Sequence, residues 1–317
     1  MRVPLWLLNP MLRVAVKGPL RLVSSPQALR ARFERHAARA FRLPPEAQIV
    51  EERIRRPEGG HIDALWTSLG RPDRHRVVLY FHGGAFLAGS PRTHKHLGAA
   101  LAGASEARVL LPAYRLAPEH PFPAAVDDAE ICYRDLLARG YAPDRIALAG
   151  DSAGGGLAAA AVLRIALAGL PRPGALVAFS PWADLTSSSD SLRRNATRDP
   201  MLPVGRMPEV IKHYLEDAPA ALPEASPVFG RFANPPPALL FASRSEILAD
   251  DARRLAEALR KGGGDVQLEL WPRLPHAWPV FAGRLEASDR AVTLAGDFLR
   301  RRIGSGATDK GEPAQET

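Results

Sequence analysis

The feature that most constrains this chain is a glycine-flanked serine set between a short apolar run and an alanine-rich run. Residues 146–149 predict a buried strand, and the residues from Ala153 onward predict a helix. Between them, residues 150–154 read G-D-S-A-G, with Ser152 at the centre. A strand, a sharp turn and a helix in this order hold a serine hydroxyl above the sheet as a nucleophile. The flanking positions must be glycine because side chains there would collide with the turn.

A competing interpretation of the same residues is a glycine-rich turn that only packs, or a loop that binds a phosphate. A dinucleotide-binding loop normally occupies the first strand-to-helix turn of its domain and has the spacing G-x-G-x-x-G. The turn around Ser152 lies in the middle of the chain and lacks that spacing. We therefore favour the nucleophile.

The size of the chain suits one large α/β domain with insertions, or two small domains. It has 317 residues, of which 46% are hydrophobic, so a sizeable core is available. The single cysteine, Cys132, cannot form a disulfide within the chain, and its setting in a predicted helix suggests a small buried hydrophobe. Nothing here indicates an oxidising compartment, and we expect a cytoplasmic protein.

The net charge of +8 raises the question of a polyanionic partner. The cations are almost all arginine and are scattered. We find no nucleic-acid-binding motif and no block of five or more like charges. The sequence therefore predicts no nucleic-acid partner.

The first 22 residues contain apolar clusters interrupted by Pro4, Pro10, Pro19, Arg13 and Lys17. No apolar stretch is long enough to span a bilayer, and no small-residue cleavage site follows, so we expect neither a membrane span nor a signal peptide. Two interpretations stay open: a lid helix packed on the protein, which we favour, and weak contact with a membrane surface.

Predicted strands and helices alternate along most of the chain, which indicates a mostly parallel sheet with helices on both faces. Strands are predicted at 49–55, 61–68, 77–81, 109–114, 146–149, 175–179, 238–242 and 266–271. Helices are predicted at 26–42, 125–137, 153–168, 250–261 and 287–302. Residues 184–232 break the alternation, with one short helix at 207–215, and we expect them to cover the active-site face.

The segment H-G-G-A-F at residues 82–86 directly follows a predicted strand. Two consecutive glycines allow backbone N–H groups to turn toward one point, where they stabilise the oxyanion of an acyl-transfer intermediate. Gly83 and Gly84 are therefore expected oxyanion donors, together with Ala153, the residue directly after Ser152. The alternative is an ordinary glycine turn.

A serine nucleophile needs a base and an orienting acid, which follow it along the chain in this type of fold. Only His213 and His276 lie downstream. His213 falls in the inserted segment and reads as a surface residue, whereas His276 follows the last strand and is the predicted base. Glu246 lies nearest the end of strand 238–242 and is the predicted acid, with Asp250 as the alternative. Asp250 and its neighbour Asp251 open the next helix, where we expect them to act as caps.

Four motifs in this order resemble the hormone-sensitive-lipase-like family of α/β-hydrolases, bacterial esterase branch. They are H-G-G-A-F at 82–86, Y-R-L-A-P-E at 114–119, G-D-S-A-G-G at 150–155 and the Pro-His pair at 275–276. The resemblance runs from about residue 49 to the last helix. It implies an α/β-hydrolase fold with an eight-stranded, mostly parallel sheet, helices on both faces and a helical cap. The implied organisation is cap helices at 1–45, core at 46–183, a cap insertion at 184–235, core at 236–303 and a disordered tail at 304–317.

The same resemblance implies hydrolysis of small carboxylic esters with short to medium acyl chains, without a cofactor or a metal. Ala85 stands where the family usually has a third glycine, and Glu246 where aspartate is the commoner acid. Ala85 keeps its N–H and Glu246 keeps a carboxylate, so neither departure removes a required group. Hydrolysis of lactones or amides at the same site stays open, as does a homodimer. A non-catalytic binding protein is disfavoured because His276 is present.

A substrate wall also needs apolar side chains near the serine. The candidates, each of which can equally be core or cap packing, are Phe86, Leu87, Trp182, Leu202 and Trp278.

Overall fold

One eight-stranded sheet organises the protein, and the computed structural model describes residues 2–22 and 25–304. The strands are β1 (Gln48–Arg55), β2 (His61–Ser68), β3 (Asp73–Phe81), β4 (Ala107–Pro112), β5 (Ile146–Asp151), β6 (Ala175–Phe179), β7 (Ala238–Ser243) and β8 (Val266–Trp271). Their order across the sheet is β1-β2-β4-β3-β5-β6-β7-β8. Strand β2 runs antiparallel to β1 and β4, and all other pairs are parallel. The predicted mostly parallel sheet is confirmed.

Helices cover both faces of this sheet. They are α1 (Leu5–Leu12), α2 (Gly18–Leu20), α3 (Pro26–Ala40), α4 (Pro91–Ser105), α5 (Ala124–Ala138), α6 (Ala153–Leu167), α7 (Asp190–Arg194), α8 (Met207–Leu215), α9 (Ala249–Lys261) and α10 (Glu286–Ile303). On β3, Leu79 and Phe81 join the core beneath α5, α6 and α9, whereas Val78 and Tyr80 join the core beneath α4 and α10. Both faces of the sheet at β3 are therefore buried, which explains the unbroken apolar run of this strand.

Helix α4 is the one long element that the sequence analysis missed. Its start carries a local signal: the Ser90 hydroxyl accepts the Thr93 N–H at 3.2 Å, and the Thr93 hydroxyl accepts the Ser90 N–H at 3.0 Å. Pro91 occupies the first helical position, where its missing N–H costs nothing. The predicted strands and helices are all present apart from shifts at their ends, and the short helix α7 is an addition in the inserted segment. For example, β4 ends at Pro112 rather than at residue 114.

The N-terminal segment packs on the protein through buried apolar and polar contacts. After α1, a π-helical turn (Arg13–Lys17) leads into α2, and α3 follows. The ammonium of Lys17 is buried and donates to the carbonyls of Ala196 and Asp199, each at 2.7 Å. Desolvation outweighs the attraction of Asp199 and lowers the pKa of Lys17. Within residues 2–22 and 25–304, no helix is long and apolar enough to cross a bilayer.

The inserted segment 184–235 carries α7 and α8 and is fastened to the core by Asp251. One oxygen of this buried carboxylate accepts the N–H groups of Ala183 (3.1 Å) and Asp184 (3.0 Å), and the other accepts the Ser189 hydroxyl at 2.6 Å. Asp250 and Asp251 lie in the first turn of α9, as predicted, but neither side chain caps the helix. The N-cap position of α9 is Leu248, and the Asp250 carboxylate turns instead to the N–H of Ser191. Apart from Gly304, the predicted tail at 304–317 lies outside the described residues.

Candidate active site

The backbone at Ser152 explains the glycines around it. Ser152 has φ 55° and ψ −123°, between the end of β5 and the first residue of α6. A Cβ atom on Gly154 would lie 2.1 Å from the carbonyl oxygen of Phe81, and one on Gly150 would lie 2.3 Å from that of Gly154. No side chain fits at such distances. The turn therefore requires glycine at both positions while holding the serine in a strained conformation.

Three side chains from distant parts of the chain form a continuous line of hydrogen bonds. The Nε2 atom of His276 lies 2.8 Å from the Oγ atom of Ser152. Its Nδ1 atom lies 2.7 Å from an oxygen of Glu246. Glu246 is fully buried, and His276 is nearly so, whereas Ser152 keeps partial exposure. The structure thus brings together the predicted nucleophile, base and acid in the order that proton transfer requires.

The alternative acid, Asp250, is engaged elsewhere. Its carboxylate forms ion pairs with Arg194 at 3.0 Å and with Arg253 at 2.8 Å. No hydrogen bond joins it to His276 within the described residues, and the only carboxylate paired with that ring there is Glu246. The geometry therefore supports Glu246 over Asp250.

Two side chains of the inserted segment hold the turn that carries Glu246. The amide nitrogen of Asn195 donates to the carbonyl oxygen of Glu246 at 2.8 Å, and a carboxylate oxygen of Asp199 accepts the N–H of Ile247 at 3.0 Å. The second oxygen of the Glu246 carboxylate accepts the N–H of Ser243 at 2.8 Å. The acid is therefore fixed on both sides. Neither Asn195 nor Asp199 was predicted from the sequence, because each reaches this turn only in the folded chain.

The surroundings of His276 favour its charged form. Burial by itself lowers the pKa of the imidazole, but the hydrogen bond to Glu246 and the charge of that carboxylate outweigh it. The result is a pKa above the ordinary value of 6.5. A raised pKa makes the ring a stronger base toward the Ser152 proton, and it also means that the ring is charged at acid pH.

The loop after β3 corrects one of the predicted oxyanion donors. The N–H of Gly83 points back into the protein and donates to the Asp151 carboxylate at 3.0 Å. The N–H groups of Gly84, Ala85 and Ala153 carry no hydrogen bond to the described residues. Gly84 has φ 131° and Ala85 has φ 59°, so the backbone turns sharply there. Gly83 is thus committed to holding the loop, and Ala85 takes its place among the donors available for an oxyanion.

Asp151 connects this loop to the core beneath it. The hydroxyl of Tyr80 donates to the Asp151 carboxylate at 2.8 Å, and the Nε2 atom of His94 lies 3.4 Å from it. Burial raises the pKa of Asp151, but its bonds to His94 and Tyr80 outweigh burial and hold the pKa below its usual value. The charged carboxylate therefore anchors the Gly83 N–H. No local sequence pattern indicates Tyr80 or His94, because they reach Asp151 only through the sheet and α4.

An apolar cavity of about 510 Å³ opens above Ser152 and His276. Of the predicted substrate wall, Leu87, Trp182 and Leu202 line it. Phe86 and Trp278 are not part of its lining, and these two expectations are wrong. Phe86 stacks on Tyr214 at 3.8 Å between ring centroids, and the fully buried Trp278 packs against Phe241 on the far face of the sheet.

The rest of the cavity wall comes from segments outside the core. The N-terminal segment supplies apolar side chains, and the inserted segment adds a second group: Leu8, Leu12, Val16, Leu29, Phe33, Met201, Met207 and Val210. His213 belongs to the same wall. It lies on α8 with its Nε2 atom 3.9 Å from Glu209 and its side chain 37% exposed, so it is a surface residue as expected, but one that also faces the cavity.

Comparison with known proteins places this fold and site in a family. A family model described as alpha/beta hydrolase fold matches residues 78–280. The crystal structure of an esterase from the bacterial hormone-sensitive lipase family superposes with a TM-score of 0.88 at 36% sequence identity, covering 96% of this chain and all of that one. The chain therefore belongs to the α/β-hydrolase family, and within it to the hormone-sensitive-lipase-like esterases.

Relatives of known name agree with this placement. An acetyl-hydrolase of Streptomyces hygroscopicus is 43% identical over 247 residues, which cover 78% of this chain and 82% of that protein. An esterase of Acinetobacter venetianus is 32% identical over 289 residues, or 91% of this chain and 93% of its own. The chain is a hydrolytic enzyme of this family.

Proposed function

We propose that the protein hydrolyses carboxylic esters through Ser152, His276 and Glu246, by way of an acyl-enzyme intermediate. The observation that carries the proposal is the unbroken line of hydrogen bonds from the serine to the imidazole at 2.8 Å and from the imidazole to the buried carboxylate at 2.7 Å. A serine hydroxyl is a weak nucleophile near neutral pH, and a neutral imidazole at this distance removes its proton as it attacks.

The reaction follows from the positions of these groups. His276 takes the proton of Ser152 while the serine oxygen bonds to the ester carbonyl carbon, and the negative charge moves to the carbonyl oxygen. The N–H groups of Gly84, Ala85 and Ala153 stabilise that oxygen. His276 then gives the proton to the departing alcohol. In the second half, His276 activates a water that releases the acid and frees the serine.

Glu246 acts through His276 rather than on the substrate. Its carboxylate accepts the Nδ1–H, so the lone pair of the ring lies on Nε2 and faces Ser152. It also stabilises the imidazolium that forms during each half of the reaction. A buried carboxylate held by the Ser243 N–H and by the imidazole keeps this geometry without reorganisation.

We further propose that residues 1–45 and 184–235 together act as a cap over the core regions 46–183 and 236–303. Both segments supply the apolar wall above Ser152. The cavity falls within the range of about 300–1,000 Å³ typical of small-molecule sites. An apolar wall of this size favours esters with short to medium acyl chains. It offers few polar groups for the recognition of a lactone or an amide, which remain alternative substrates.

A series of p-nitrophenyl esters tests both the chemistry and the chain-length preference. We expect hydrolysis of the acetyl, butyryl, hexanoyl and octanoyl esters, with kcat/KM falling at dodecanoyl as the cavity fills. Ser152→Ala should reduce all rates to background. Hydrolysis that survives this substitution would refute the serine mechanism, and faster turnover of matched lactones or amides would refute the ester assignment.

A second pair of variants tests whether the cavity above the serine holds the acyl chain. Val210 lines the cavity on α8, whereas Lys212, two residues later, is exposed. Val210→Trp should lower kcat/KM for the octanoyl ester by about tenfold or more, with a smaller effect on the acetyl ester. Lys212→Trp should change neither. An equal loss for both esters in Val210→Trp would place the acyl chain elsewhere.

A further inference from the structure

The net positive charge of this protein comes from its N-terminal segment. Residues 1–42 contain nine arginines and lysines and a single acid, Glu34, an excess of eight positive charges. The whole chain also has a net charge of +8, so residues 43–317 are balanced overall. A charge excess held in one segment creates a local field that a scattered excess of the same size does not.

Exposed apolar side chains concentrate in the same segment. Ten large hydrophobic residues are exposed in the part of the chain that the structure describes, and five of them fall within residues 5–22: Trp6, Leu7, Met11, Val14 and Leu22. Trp6 is 77% exposed, Val14 78% and Leu22 83%. A cluster of large apolar groups in water is unusual for a soluble protein without a partner and marks an interaction surface.

The segment that bears these residues is anchored to the protein by buried contacts. Leu8 and Leu12 of α1 are buried, and the Lys17 ammonium is fixed by two carbonyls of the inserted segment. The exposed side of the segment is therefore presented on a fixed base. Met11 is half exposed and also lines the active-site cavity, so the apolar surface is continuous with the cavity wall.

Four arginines of the same N-terminal segment are free to meet an anion. Arg21, Arg35, Arg39 and Arg42 are exposed, and none of them forms an ion pair within residues 2–22 and 25–304. Other arginines, inside and outside this segment, are paired with carboxylates, as Arg2 is with Asp289, Arg30 with Glu119 and Arg164 with Asp127. We name the five exposed apolar residues and these four arginines the N-terminal face.

We propose that the N-terminal face docks on an anionic lipid surface and so places the cavity opening at the interface. Exposed tryptophan and aliphatic side chains enter the headgroup region, and exposed arginines of the same segment pair with lipid phosphates. An exposed apolar surface could bind either a lipid surface or a second copy of this chain. The positive charge favours the anionic lipid surface, because a second copy would bring the same positive face against itself. The proposal goes beyond ester hydrolysis and does not depend on it.

Vesicle sedimentation tests the docking with hydrolysis removed. The full-length Ser152→Ala variant is mixed at low salt with vesicles of phosphatidylcholine containing phosphatidylglycerol, or of phosphatidylcholine alone. We expect the protein to sediment with the anionic vesicles, to bind the neutral ones much more weakly, and to dissociate as salt is raised. Because this variant lacks the nucleophile, the result is independent of whether the hydrolase assignment is correct.

Substitutions on the N-terminal face identify the surface that binds. Trp6→Ser combined with Val14→Ser should lower the partition coefficient by about tenfold or more. The control is Leu167→Ser, which removes an equally exposed apolar side chain at the end of α6, 77% exposed, and should have no effect. Thermal unfolding of each variant shows that the fold is retained.

The contribution of charge to binding is tested by replacing arginines on the N-terminal face and, as a control, exposed arginines elsewhere. Arg35→Gln and Arg39→Gln should each lower binding to anionic vesicles by about fivefold. Arg71 and Arg74 are likewise exposed and form no ion pair in the described part of the chain, and replacing both with glutamine should leave binding unchanged.

Three outcomes would overturn the proposal. One is the absence of sedimentation with anionic vesicles at low salt, and another is equal loss of binding in the control variants. The third is a different occupant: a concentration-dependent dimer that Trp6→Ser abolishes, or binding of a single-stranded oligonucleotide in preference to vesicles.

Discussion

The Nε2 atom of His276 lies 2.8 Å from the Oγ atom of Ser152, although 124 residues separate them in the chain. The serine stands at the carboxyl end of β5, and the histidine follows β8 at the edge of the sheet. The loop after β8 reaches back across two strands, and its N–H at Ala277 is held by the hydroxyl of Ser180 at 3.1 Å. This contact couples the nucleophile to its base across the carboxyl edge of the sheet.

The first prediction concerns the acid. Glu246→Gln keeps a hydrogen-bond acceptor beside His276 but removes the charge that stabilises the imidazolium, so kcat should fall by about a thousandfold or more. Asp250→Asn serves as the control, because Asp250 pairs with Arg194 and Arg253 and not with His276. This substitution should lower the unfolding free energy by about 1 kcal/mol and leave kcat unchanged. Ester kinetics and chemical denaturation of both variants decide it, and the reverse pattern would make Asp250 the acid.

The second prediction follows from the raised pKa of His276. The ring must be neutral to accept the serine proton, so kcat/KM should rise with pH and level off above an apparent pKa higher than 6.5. Without the Glu246 charge, burial prevails, and the residual activity of Glu246→Gln should have a lower apparent pKa. Rates measured with one ester from pH 5 to pH 9 test both statements. A flat profile, or the same apparent pKa in both proteins, would contradict them.

The third prediction separates the N–H donors of the loop after β3. A Cβ atom on Gly84 would lie 2.0 Å from the carbonyl oxygen of Ala88, so Gly84→Ala should displace the loop and lower kcat by about a hundredfold or more. Ala85→Gly keeps the backbone N–H at this position, and glycine readily adopts the φ of 59° found there. Its kcat should therefore stay within about threefold of the wild-type value. Wild-type turnover by Gly84→Ala would remove this loop from the oxyanion site.

The fourth prediction concerns stability and Asp251. Burial raises the pKa of this carboxyl to about 7 in the folded protein, from 3.8 when exposed. Between these values the unfolded chain releases a proton that the folded protein retains, so rising pH favours unfolding. Asp251→Asn should remove this effect, because its amide still bonds Ser189 and its carbonyl still accepts the two backbone N–H groups.

The measurement is the unfolding free energy of both proteins from pH 4 to pH 8. The unfolding free energy of the wild type minus that of Asp251→Asn should fall by up to about 1.4 kcal/mol per pH unit between pH 4 and pH 7. Above pH 7 this difference should stay constant. Asp250→Asn, one residue earlier, should show no such relative change. A wild-type free energy that rises relative to Asp251→Asn over this range would contradict a raised pKa.

The local features of this protein could be predicted from the sequence because they depend on neighbouring residues. The elbow at Ser152 follows from glycines that alone fit beside a strained turn, and the parallel sheet follows from apolar runs alternating with helical ones. The start of α4 depends on equally local signals, the capping residues Ser90 and Thr93 and the proline between them.

Tertiary structure decided which side chains meet, because contacts between distant segments depend on packing directions that local patterns do not encode. It committed the Gly83 N–H to Asp151, turned Asp251 toward the inserted segment, and buried Trp278 on the far face of the sheet. It also set the N-terminal segment beside the cavity. The sequence by itself determined that a serine would be strained and presented; only the folded chain determined which walls, donors and charges surround it.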